Sequence, residues 1–184
     1  MKIIFLICTL IISLESIAQK DSSVFCNQYF QAISYIRQDS FTKTAFQVNE
    51  CKFKVSNVIK SGSLDYTFVT DLMSYVINKT NKLIDSIMIE SIEKELTKYD
   101  DDYSTKINCI GSDDRFNLTL NFERVSDTIF IARIYEIESN CFIRYKNRNT
   151  KPFVEYLFII NRKNTIDKVF KRESYLIIRN TNGF

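Results

Sequence analysis

The side chains available for chemistry in this sequence are carboxylates, tyrosines, arginines, lysines and cysteines, because histidine is absent. Without an imidazole there is no Ser-His-Asp or Cys-His nucleophile, no His-ligated metal and no His-based pH switch. The three glycines, Gly62, Gly111 and Gly183, cannot build a Walker loop, a GxGxxG turn or a GxSxG elbow. The densest acidic group is Asp100-Asp101-Asp102, followed by Asp113-Asp114. It lacks the alternating Asp spacing and terminal Glu of a calcium loop. These carboxylates therefore read as a solvated loop and a turn, and no metal or cofactor is expected. Arg133, Tyr135 and Glu155 are polar groups on otherwise apolar strands. They suit the pocket of a small His-free isomerase or lyase, or else they pair with one another. No catalytic residue is assigned.

The cysteines carry more information. Cys8 lies in an apolar leader, which leaves Cys26, Cys51, Cys109 and Cys141. An even number in an exported chain points to two disulfides. Of the three connectivities, the local pairing Cys26–Cys51 and Cys109–Cys141 is preferred. No CxxC spacing favours a four-thiolate metal site instead. The leader itself has Lys2, an apolar run from Ile3 to Ile12, and small residues at Ser16 and Ala18. That pattern is a signal peptide over residues 1–18, cleaved after Ala18. The expected location is secreted or periplasmic, with residues 19–184 as one domain. No later stretch approaches the roughly 20 apolar residues of a membrane span.

Charge divides along the chain. Residues 90–138 hold 12 acidic and 6 basic side chains, whereas residues 139–184 hold 3 acidic and 10 basic. Arg144, Lys146 and Arg148 alternate on one expected strand and form a candidate binding face for an acidic partner. A net charge of only +3 argues against nucleic acid as that partner. The partner class is otherwise open: a protein or a small molecule. Asn78-Lys79-Thr80 and Asn117-Leu118-Thr119 match the N-glycan sequon.

The elements that must position these groups follow from periodicity. Phe25, Tyr29, Phe30, Ile33 and Ile36 mark a helix over residues 23–38, capped by Asp21-Ser22. Cys51, Phe53 and Val55 alternate with Lys52 and Lys54, as in a half-buried strand ending at Ser61-Gly62-Ser63. Residues 64–99 read as two helices or one bent one: Leu64, Phe68, Leu72 and Val76, then Ile84, Ile87, Met88, Ile92, Leu96 and Tyr99. Beyond residue 104 the period becomes two. Phe116, Leu118, Leu120 and Phe122 share one face, and strands follow over 128–138, 141–146, 153–160, 165–170 and 174–179. The fold class is α+β, with N-terminal helices packed on one face of an antiparallel sheet of about five or six strands, flat or curved into a roll. That element order is similar to cystatin-like and nuclear-transport-factor-2-like rolls, with no diagnostic motif of either. The functional expectation is an exported, non-catalytic binding domain. The alternatives are the small His-free enzyme and an inhibitor or immunity-type protein.

Overall fold

The computed structural model describes residues 24–64, 66–80, 104–137 and 150–177. The expected signal peptide, the acidic run at Asp100–Asp102, Cys141, the expected face of Arg144, Lys146 and Arg148, and the second expected apolar helix face from Ile84 to Tyr99 lie outside them.

Residues 24–38 form helix α1. Tyr29, Ala32, Ile33 and Ile36 recur at three- and four-residue spacing and are buried. Phe30, expected on the same face, is instead half exposed, because it falls one position off that stripe. A second helix, α2 (Ser40–Phe46), follows at once. It was not foreseen. Its seven residues carry no extended apolar period, and it exists because Asp39 caps it and Thr42 and Phe46 are buried.

The alternating segment after Cys51 becomes two short strands, β1 (Phe53–Val55) and β2 (Val58–Ser61). Helix α3 spans Tyr66–Thr80. The aromatic and β-branched residues Tyr66–Val69 are thus helical, since burial of Phe68 and Leu72 on one stripe outweighs local β propensity. Strands β3 (Ser104–Lys106), β4 (Leu118–Arg124), β5 (Ile129–Glu136), β6 (Thr150–Ile160) and β7 (Ile166–Ile177) complete the described elements. The two expected C-terminal strands are a single long one, because no turn residue interrupts Lys171-Arg172-Glu173.

The domain is α+β, with helices preceding most of the strands. Among the described residues the sheet has seven strands, in the order β3-β2-β4-β5-β6-β7, with β1 also beside β4. The expectation of an antiparallel sheet holds from β4 to β7 and fails at β1 and β2. Both run parallel to β4, with Phe53 opposite Leu118 and Lys60 opposite Glu123. The sheet is therefore mixed, and it is open. Gly62, just past β2, is required there: a Cβ would sit 2.8 Å from the Cβ of Glu123.

Alternation assigns the two faces. Leu118, Leu120 and Phe122 join Phe53 and Val55 of β1 and Phe130, Ala132, Ile134, Val154, Tyr156 and Phe158 in the main core beneath α1. The opposite side chains Ile129, Ile131, Leu157 and Ile159 pack with Phe68 and Leu72 of α3. The amino-terminal pair α1 and α2 thus occupies one face and α3 the other. Double coverage explains why β6 is apolar on both sides.

Arg124, at the end of β4, is fully buried. Its guanidinium stacks 3.8 Å from the Phe25 ring centroid and donates to Tyr29 Oη, Gln28 Oε1 and the Asp127 carbonyl. It bolts α1 to the β4–β5 turn through neutral acceptors and an aromatic face.

Candidate functional site

The described residues form an open cleft of about 610 Å³ at one end of the main core. Four pieces of chain make it. Helix α1 contributes Arg37, and α2 contributes Lys43. The segment entering β1 contributes Glu50, Cys51 and Lys52, and the β3–β4 connection contributes Asp113, Asp114 and Arg115. A shallower depression of about 500 Å³ shares Glu50, Lys52 and Arg115 and extends toward Asn117.

The β3–β4 connection, residues 107–117, lies along β1 as a strap. The Asp113 N–H donates to the Phe53 carbonyl at 2.9 Å, and Asp113 Oδ2 accepts from the Phe53 N–H at 2.7 Å. Ser112 Oγ accepts from Val55 N–H, and Asn117 bonds Lys52 N–H and the Glu50 carbonyl. Asp113 was expected to be a turn former. It is instead the clamp that ties strap, β1 and α1 together, since Arg37 Nη2 reaches both of its carboxylate oxygens at 2.6 and 2.8 Å. The Asn117 side-chain amide, occupied at both ends beside fully buried Leu118, leaves that sequon unpresented.

The strap is held covalently as well. Cys26 of α1 bridges Cys109, 83 residues later. This replaces both expected local pairings, Cys26–Cys51 and Cys109–Cys141. Sequence proximity favoured the short loop, but α1 lies against the strap and presents Cys26 there. Cys51 remains a buried thiol at the cleft floor. Burial pushes its pKa up, while the positive charges of Lys43 and Arg37 pull the other way without cancelling that effect.

Within the cleft the charges fall into two groups. Arg37 is committed to Asp113, and Lys52 to Glu50 at 3.2 Å. Lys43 and Arg115 form no ion pair with any described residue, nor does Asp114. Four cations and three carboxylates line the site. The uncommitted cations outnumber the uncommitted carboxylate.

Lys43 owes its place to the cap of α2. Asp39 accepts from the Phe41 N–H at 3.1 Å and from Lys171 Nζ at 2.9 and 3.0 Å. Tyr156 donates its hydroxyl hydrogen to Asp39 Oδ2 at 3.2 Å, and its oxygen lies 2.6 Å from Thr42 Oγ1. Burial opposes ionisation of Asp39, yet Lys171 and the Phe41 amide together hold its carboxyl below the usual range. Burial pushes the Tyr156 phenol up, and the neighbouring Asp39 adds to that. A depressed native pKa contributes stability that is full above the ordinary carboxylate range and is lost as pH falls through the native value. Urea unfolding from pH 6 to pH 3 should therefore show a declining stability whose slope is reduced by Asp39→Asn. An unchanged slope would remove Asp39 from this role.

On the opposite sheet face, Asn121, Arg133, Glu155 and Arg172 stand in one row across β4, β5, β6 and β7. Arg133 Nε donates to Glu155 at 2.6 Å while Nη1 bonds both oxygens of Glu123. Burial opposes the Arg133 charge, but the two carboxylates raise its pKa overall. Tyr135 stacks on Phe153, 5.7 Å between centroids. Arg172 bonds Asp71 of α3 at 2.7 Å and lies over Phe68. The three polar residues singled out on these strands are thus neighbours, and two of them, Arg133 and Glu155, pair with each other. No group of three or more potential metal ligands occurs among the described residues, and no described helix is long and apolar enough to cross a membrane. No protein-family model, curated protein or solved structure matches the chain.

Proposed function

We propose that the protein is an exported, non-catalytic binding domain whose ligand is a small molecule carrying carboxylate groups, taken up in the cleft between α1, α2 and the strap. One observation carries this reading: Lys43 and Arg115 line a cleft of ligand size and have no ion-pair partner among the described residues. The other potential acid–base groups support a binding role. Asp113 is consumed by Arg37 and backbone amides, Glu155 and Glu123 by Arg133, and Tyr156 by Thr42 and Asp39. The disulfide fits an exported chain.

The test is titration with succinate and glutamate, read by thermal unfolding and calorimetry. Binding should stabilise the fold by an amount that grows with the logarithm of ligand concentration above Kd and should weaken as salt rises, since the cleft is open to solvent. The double variant Lys43→Ala/Arg115→Ala should lose about tenfold in affinity, a factor of about 1.4 kcal/mol. Undiminished binding by that variant would place the site elsewhere. No binding of either acid would end the proposal.

A further inference from the structure

We infer that the Cys26–Cys109 bridge is a redox-controlled latch on the cleft: reduction frees the strap from α1 and opens the floor of the site, including Cys51. The bridge fixes the strap to α1 at Cys109, six residues before Arg115. Beyond that point the strap supplies one entire wall of the cleft, Asp113 to Arg115.

The remaining ties around Asp113 and Ser112 are weaker. The Arg37–Asp113 pair is solvent-accessible, with side chains 44% and 29% exposed, and such pairs contribute little net stability. Ser112 makes one hydrogen bond to β1 and Asp113 two, all at a three-residue strand. Ile107 and Ile110 are buried and anchor the strap's beginning. The segment after them, residues 111–116, has no buried side chain. Loss of the bridge therefore loosens the part that walls the cleft more than the part that belongs to the core.

Both bridged cysteines are only partly buried, so a thiol reductant can reach them. The step balances with a dithiol as co-reactant. One of its thiolates attacks a bridge sulfur, the S–S bond breaks, and a mixed disulfide forms. The second thiol closes the dithiol into a ring. Cys26 and Cys109 leave as thiols carrying the two electrons and two protons. Reversal by a disulfide oxidant closes the latch.

Cys51 reports on this directly because it is buried, 5% exposed, at the floor of the cleft. Control of Cys51 by the latch does not depend on what the cleft binds; control of ligand affinity does rest on the proposed binding role. The experiment compares the oxidised protein, the dithiothreitol-reduced protein and Cys26→Ser/Cys109→Ser. Iodoacetamide labelling is quantified on the peptide containing Cys51, while hydrogen exchange follows the amides of β5 and β6. The expected result is labelling at least about tenfold faster in the two open forms and faster than exchange of the β5 and β6 amides, whose protection falls only by the global loss of stability, as for a local opening. Equal labelling in all forms would overturn the latch. Labelling that rises only in step with loss of β5 and β6 protection would also overturn it, because that is global unfolding. Succinate affinity, measured in parallel, should fall about tenfold on reduction. Accelerated Cys51 labelling in a protein that binds succinate in neither form would leave the latch standing and remove the ligand.

Discussion

Replacing Cys26 with Ser should lower unfolding stability by about 4–5 kcal/mol, the loss expected when a closed loop of this length is released from the unfolded chain. The bridge spans 83 residues, and in the chain-entropy treatment a long loop restricts the denatured ensemble more than a short one. The expected fall in melting temperature is about 10–15 °C for a domain of this size. Cys109→Ser should have the same effect, and combining the two should add little, since one bridge is removed either way. Calorimetry of the three variants checks this. A loss below about 1 kcal/mol would mean that native contacts around the strap are strained by the bridge.

The second large effect is expected at Arg133. It is the sole described cation bonded to Glu123 and Glu155, whose side chains are 20% and 7% exposed. Arg133→Leu would leave two carboxylates on a mostly dry sheet face without a counter-charge. Removing one member of a fully buried pair costs roughly 3–5 kcal/mol, and partial exposure here reduces that to about 2–3. Arg133→Leu/Glu155→Leu should recover at least half of the loss, because the more buried orphan is removed with its partner. The cycle of denaturant midpoints reads this coupling. Additive losses would show that the contact seen between Arg133 and Glu155 carries little energy.

How far these features can be read from the chain depends on the range of the interaction behind each. Strand β4 announces itself, because Leu118, Leu120 and Phe122 alternate with polar residues and are buried, while Phe116, read on the same face, precedes the strand and is exposed. The α1 stripe is equally local. The parallel neighbours of β4 are not local: β1 is three residues long and pairs with a partner about 65 residues away. Nothing in Phe53-Lys54-Val55 specifies direction. Cys26–Cys109 is hidden for the same reason, as its geometry exists only once α1 lies against the strap.

The cleft was less legible than the fold. Arg37, Lys43 and Arg115 resemble ordinary surface charges until three separate pieces of chain bring them together. Arg133 and Glu155 stood out earlier because a charged residue in an apolar strand violates the local pattern, and pairing is the physical answer to that violation. Asp113 was visible as an acid, yet its role as a clamp depends on Arg37, 76 positions away.

The cleft walled by the strap is the proposed ligand site. Its most direct measurement is a map of amide chemical-shift changes in the oxidised, isotope-labelled protein as succinate is added. Saturable shifts are expected, concentrated on Lys43, Cys51, Lys52, Asp114 and Arg115 and absent in Lys43→Ala/Arg115→Ala. Shifts centred on the Arg133–Glu155 face, or none at concentrations that would fill a millimolar site, would contradict it.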